Sequence, residues 1–150
     1  MAKGGKNKKP AIAVSPITGK SVRGGSIADN VAISPFKWST SQIDLDGPFG
    51  WRHVPAVQIL NEIVPRLHDY EGQTWADIDG KTGSHFIEVH KFCRDARKRL
   101  TAIKINDVDQ LFSLRINGKS RLWGPRDGAI LRILWWDPEH EICPSTLKHT

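Results

Sequence analysis

DQLFSLRINGKSRLWGPRDGAILRILWWDPEHEICP, residues 109–144, is the stretch whose reading decides the fold. Two dipeptides divide it. Asn117-Gly118 and Asp127-Gly128 supply the positive φ angles that tight hairpin turns demand. Between and around them lie three runs, 111–116, 120–125 and 129–136, of which the last is the longest and most apolar. This spacing predicts an antiparallel three-stranded meander. Arg115, Arg121 and Arg132 interrupt the apolar runs, and Arg126 stands at the second turn. Side chains alternate along a strand, so Arg121 and Trp123 share one face of the middle strand and Leu122 takes the other. A solvated polar sheet face explains such arginines. So does a concave basic face that holds phosphates, because the guanidinium fork matches phosphate oxygens.

Upstream, residues 36–43 read as a strand or extended entry. Residues 55–67 read as a helix, with Val57, Leu60, Ile63, Val64 and Leu67 at helical spacing. Pro55 suits its first turn, and Pro65 should kink it or end it early. Thr74 reads as the N-cap of a short helical turn with Asp77. Residues 80–88, GKTGSHFIE, read as loop or extended chain. A second helix is expected over 89–102. Its apolar stripe is Val89, Phe92, Cys93, Ala96, Leu100 and Ile103; Lys91, Arg94, Lys98 and Arg99 face elsewhere. The expected class is α+β: an N-terminal strand and the meander in one small sheet against two or three helices.

The 150-residue length fits one domain with a tail, and a hydrophobic fraction of 39% with six Trp supports a real core. The expected division is a disordered basic tail over 1–34 and the folded domain over 35–150. Within the tail, 12–14 and 31–33 are candidates for a short strand. No apolar run reaches the length of a membrane span, and no apolar segment follows the basic N-terminus as in a secretory signal. Cys93 and Cys143 are the only cysteines. Both points lead to the expectation of a reduced, cytoplasmic protein.

The net charge of +6 belongs to the first 23 residues, where Lys3, Lys6, Lys8, Lys9, Lys20 and Arg23 stand without an acid. From Gly24 onward there are 16 basic and 16 acidic residues, unevenly placed. Residues 91–132 hold eleven basic side chains against four acidic ones. A neutral domain with a basic sub-region fits a localised anion site better than a surface that coats nucleic acid.

The chain has no Gly-rich phosphate loop, CxxC pair or HExxH. His85, His90 and Cys93 match no familiar zinc spacing and lack an obvious fourth ligand, so neither a metal nor a cofactor is expected. Ser84 with His140 and Asp137 lacks a nucleophile elbow. The strongest combination is several arginines with His85 and His140. RNA is cleaved without metal when a base takes the 2′-OH proton, an acid protonates the 5′-oxygen and cations stabilise the charge on phosphorus. Histidine supplies acid or base near neutral pH. Trp123, Trp135 and Trp136 read mainly as core; an exposed ring among them would stack on a base.

The order strand, helix, helix, meander resembles the RelE/ParE toxin superfamily of bacterial toxin–antitoxin systems. The residues that carry the resemblance are DARKRL (95–100), LFSLRINGKSRLWGPRDG (111–128) and AILRILWWDPEH (129–140). Gly80–His85 also resembles a GKTxSH segment ahead of such a meander in uncharacterised bacterial proteins. The resemblance implies an mRNA endonuclease, often ribosome-dependent, held inactive by a partner antitoxin. By position it implies Arg115 and Arg121 on the phosphate, with His140 as acid or base and His85 second. Lys91 and Arg94 would contact the backbone, and Lys98, Arg126 and Trp123 extend the nucleic-acid surface. The family often places a C-terminal Tyr or His in its site, whereas the one tyrosine here, Tyr70, lies outside the matched region. The ParE branch targets gyrase instead. The alternative expectation is a non-catalytic module that holds nucleic acid or a protein through the basic tail and sheet.

Overall fold

Gly118 and Gly128 take φ of 27° and 59°, so both hairpin turns close where their glycines stand. In this computed structural model, which describes residues 27–144, each turn sits one residue later than expected. Asn117 pairs with Ser120 around Gly118-Lys119, and Asp127 pairs with Ile130 around Gly128-Ala129. A register shift between Arg115 and Asn117 accounts for the first offset.

The protein is α+β. In chain order come α1 (Ile27–Ala32), β1 (Lys37–Ser39), α2 (Ala56–Gln58), a π turn (Ile59–Ile63), α3 (Val64–Glu71), α4 (Trp75–Ile78), β2 (His85–Glu88), α5 (Arg94–Ala102) and five strands. The strands are β3 (Gln110–Asn117), β4 (Ser120–Gly124), β5 (Arg126–Asp127), β6 (Ile130–Arg132) and β7 (Trp135–Asp137). They form a four-stranded antiparallel sheet in the order β2-β3-β4-β7 and a three-stranded sheet in the order β1-β6-β5. No helix among the described residues is long and apolar enough to cross a membrane.

The second hairpin of the meander is therefore one long pair of strands bent across two sheets. It bends at Gly124-Pro125 on one arm and at Ile133-Leu134 on the other. Gly124 permits this: a Cβ there would lie 1.8 Å from the Arg132 carbonyl oxygen. Pro125 has no N–H to offer a ladder, which suits a strand break. Gly124→Ala should destabilise the fold by at least about 2 kcal/mol, because the clash is with backbone that cannot swing aside. The urea midpoint of the variant checks this.

The N-terminal strand joins the meander only at its far hairpin end, in the small sheet, and not in the large one. β1 runs parallel to β6 in the small sheet. The fourth strand of the large sheet is β2, which pairs Phe86 with Phe112 and Ile87 with Leu111. The tail boundary also shifts. Ile27–Ala32 is helical, and Val31 and Phe36 belong to the core, so residues 31–33 form no strand. The expectations for residues 1–26, including a strand at 12–14, lie outside the described residues.

Pro65 neither ends nor breaks its helix. The π turn precedes it, so α2, the turn and α3 run on as one rod to Glu71. Pro65 stands just after the π turn, where the helical hydrogen-bond pattern is already displaced and a missing N–H interrupts it least. The second helix is shorter than its apolar stripe: Val89–Lys91 is a 3₁₀ turn, Phe92 and Cys93 are extended, and α5 begins at Arg94. Thr74 and Asp77 form the reciprocal capping box at the start of α4.

Two cores flank the large sheet. Phe112, Leu114, Leu122 and Trp136 pack with Phe36, Leu67, Tyr70 and Trp75 on one face. Leu111, Trp123 and Trp135 pack with Phe92, Ala96 and Leu100 on the other, beneath α5. Asp44 ties the 40–54 loop to both α5 and β7. Its buried carboxylate accepts from Arg99 Nε (2.9 Å), Arg99 Nη2 (2.8 Å) and Trp135 Nε1 (2.9 Å). Burial pushes its pKa up, but the hydrogen bonds from Arg99 and Trp135 outweigh burial and hold it below the ordinary 3.8. A carboxylate whose pKa is depressed by folding contributes stability above its unfolded value and loses it as pH falls through the folded one. Urea midpoints should therefore decline below about pH 4 in the wild type, and less steeply in Asp44→Asn, which has no charge to lose.

Candidate phosphate-binding face

α5 covers only one end of its face of the large sheet. Strand register places its residues in rows. Ile87 and Leu111 make one row, His85, Ser113, Trp123 and Trp135 the next, and Arg115, Arg121 and Asp137 the third. Phe92 packs edge-on against Trp123, with ring centroids 5.1 Å apart, so α5 covers the first rows. The third row carries two arginines side by side. Arg115 is exposed and Arg121 half-buried. Arg121 Nη1 donates to the carbonyl oxygens of Gly118 (2.8 Å) and Ser120 (3.0 Å), which fixes its guanidinium against the hairpin turn. Burial lowers its pKa and the neighbouring Arg115 lowers it further, against an opposing pull from Asp137. The group remains a cation, as guanidinium does throughout this range. Among the described residues neither arginine forms an ion pair with a carboxylate.

Asp137, directly opposite Arg121, is buried and already used. Its Oδ1 accepts from the Glu141 N–H (2.8 Å), and its Oδ2 from the Ile142 N–H (3.0 Å) and Trp123 Nε1 (3.2 Å). These bonds fold residues 138–142 back over the sheet. His140 sits in that turn in the left-handed region, at φ 58°. It thereby comes to line a cleft of about 370 Å³ with His85, Glu88, Lys91, Gln110 and Cys143. Glu88 also holds His90 (2.5 Å) and lies 3.8 Å from Lys91, so the cleft is basic but not purely so. The Cys143 thiol is pushed up by burial against the pull of Lys91, which keeps it protonated at neutral pH.

The structure thus brings together five of the residues singled out from sequence: His85, Lys91 and His140 in the cleft, with Arg115 and Arg121 one row along on the same face. It separates the others. Trp123 is fully buried, with its N–H on Asp137, so it offers no ring to a base. Arg126 lies over the Phe86 and Trp75 rings, at 4.8 and 5.2 Å, on the opposite face. Arg94 and Lys98 are exposed on α5 and do not line the cleft. Arg132 is bound to Asp127 and Ser41 in the small sheet. Trp135 and Trp136 are buried as well.

Three participants have no role in the sequence-based expectation. Asp137 anchors the turn that carries His140. Tyr70 is buried and donates from its hydroxyl to the Arg115 carbonyl (2.6 Å), while Arg66 stacks 4.5 Å from its ring. Ser113 lies at the floor of the second row, 1% exposed, with no hydrogen-bond partner for its hydroxyl. Only the last had a visible signal, a serine in the middle of an apolar strand. Among the described residues no group of three or more His, Cys, Asp or Glu side chains is gathered to hold a metal, and His90 turns to Glu88 rather than towards Cys93. Comparison of this chain with family models, with curated proteins and with solved structures finds no match.

Proposed function

We propose that the open end of the α5 face binds the phosphodiester backbone of RNA and cleaves it without metal. The observation that carries the reading is the placement of two arginines without carboxylate partners one row from a cleft that holds two histidines. Arg115 and Arg121 would hold the non-bridging phosphate oxygens. One histidine takes the proton from the 2′-OH, whose oxygen attacks phosphorus. The other gives a proton to the departing 5′-oxygen, which leaves a 2′,3′-cyclic phosphate and a 5′-hydroxyl. His140 is the first candidate for acid or base and His85 the second. Lys91 adds charge against the backbone. The resemblance to RelE/ParE toxins supports the same chemistry and adds the ribosome and a neutralising antitoxin as partners.

The purified chain should cleave single-stranded RNA in EDTA, with or without ribosomes, and His140→Ala should slow it at least about tenfold while the fold is kept. Induced expression should arrest growth and deplete mRNA. Intact RNA in both settings overturns the nuclease reading.

A non-catalytic binding module is the second reading, and Arg94 and Lys98 favour it, because they stand exposed on α5 outside the cleft and would add phosphate contacts away from either histidine. It requires salt-sensitive RNA binding without cleavage, weakened when residues 1–23 are deleted.

A further inference from the structure

We propose that Ser113 is a positioning residue for His85: its buried hydroxyl is the hydrogen-bond partner of the His85 imidazole and fixes which ring nitrogen carries the proton. The inference rests on the reading of the cleft given above for its functional meaning, but the contact itself does not depend on it.

A buried hydroxyl without a partner is unfavourable, and nothing in the strand position demands one. Alanine or valine would fill the same place in an apolar strand. Within the sheet, register and alternation give Ser113 four side-chain neighbours on its face. Leu111, two residues back, is apolar. Arg115, two residues on, runs the other way, with its Cδ 3.0 Å from where a Gly83 Cβ would stand. Trp123, opposite on β4, has one polar atom, and it is committed to Asp137. His85, opposite on β2, is the remaining neighbour within the sheet, and its exposed side chain has the freedom to turn. Residues directly opposite in an antiparallel pair have Cβ atoms about 4.5–5.5 Å apart, so one rotation of the imidazole brings a ring nitrogen onto the hydroxyl.

A neutral imidazole carries one N–H donor and one acceptor. When one nitrogen donates to Ser113 Oγ, the other is left as an acceptor facing the cleft, which is the form a general base requires. The charged and titratable groups around His85 are Glu88 on its own strand, Lys91 on the 3₁₀ turn, Arg115 on β3, Arg121 on β4, and His140 and Cys143 after β7. Five of the six are cationic, potentially cationic or neutral, so a hydroxyl that orients the ring without adding charge leaves the site's attraction for phosphate intact.

The test is nuclear magnetic resonance of the full chain with labelled histidine, following tautomer and titration of His85 in wild type, Ser113→Ala and Ser113→Thr. The wild type should favour one tautomer at least about fivefold above the His85 midpoint. Ser113→Ala should bring the ratio close to that of free histidine, while Ser113→Thr, which keeps the hydroxyl, should retain the wild-type ratio. The thermal midpoint of Ser113→Ala should stay close to that of the wild type, because the exposed His85 nitrogen can bond to water once the hydroxyl is gone. The same tautomer ratio in wild type and Ser113→Ala overturns the proposal, whatever the RNA assay gives. A hydroxyl-dependent tautomer in a chain that cleaves no RNA upholds the Ser113–His85 pair and removes the nuclease reading instead.

Discussion

Asp137→Ala should destabilise the protein by about 3 kcal/mol and release the turn that carries His140. The wild-type carboxylate is 1% exposed and receives three N–H groups: Trp123 Nε1 and the backbone of Glu141 and Ile142. Alanine leaves all three without an acceptor. A buried donor left unpaired costs about 1–3 kcal/mol, and the two backbone donors recover part of that only if residues 138–142 lift into water. That recovery is what damages the site. A lifted turn withdraws His140 from the cleft and uncovers Trp123, whose ring packs on Phe92. Asp137→Asn should fall between the two, because its carbonyl oxygen replaces one acceptor while its amide faces another donor. Urea denaturation reads the stability. Hydrogen exchange at Glu141 and Ile142 reads the turn, and both amides should lose protection in Asp137→Ala even where the sheet keeps its own. A loss of less than about 1 kcal/mol with protected amides would mean that the turn stands without the carboxylate.

The meander was legible because its determinants are local. Asn-Gly and Asp-Gly announce the turns, and period-two alternation puts Arg121 with Trp123 and apart from Leu122. The capping box at Thr74 is local too. What the sequence hides is non-local. The strand expected over residues 129–136 divides between two sheets because Gly124 lets the Arg132 carbonyl approach, a contact between two arms of a hairpin. Arg126 lies an odd number of positions from Arg121, so alternation by itself assigns it to the far face, where it meets the Phe86 and Trp75 rings. β2 was missed as a strand because HFIE carries no turn signal of its own; its pairing with β3 defines it. Burial of Trp123 comes from α5, and Phe92 reaches it because the helix starts only at Arg94. Lys91 enters the cleft for the same reason, while Arg94 and Lys98 stay on the outer helix. The basic character of the site was readable from charge. Its membership was decided by which cations the register sets on one face.

Truncating both arginines should abolish the proposed activity more completely than removing either histidine. Arg121→Ala should lower RNA cleavage at least about tenfold, and Arg115→Ala combined with it about a thousandfold, the scale on which preorganised donors to a developing charge act. Arg121 matters more than its exposure suggests. Its Nη1 is tied to the Gly118 and Ser120 carbonyls, so the guanidinium is held in place before any phosphate arrives. Partial burial also leaves its charge less screened by water than that of exposed Arg115. Arg121→Lys keeps a charge but loses the planar fork, and should recover only part of the rate. Stability sets the control. The freed carbonyls at the hairpin turn can bond to water, so the single variant should lose no more than about 1 kcal/mol and remain folded at assay temperature. Binding separates the two readings of the face. For an uncleavable oligoribonucleotide, the slope of log affinity against log salt should become shallower by about 0.7 for each phosphate contact removed. A shallower slope with an unchanged cleavage rate assigns the arginines to binding alone. A slower rate with an unchanged slope places them at the transition state. Wild-type values of both in the double variant would remove this face from the function altogether.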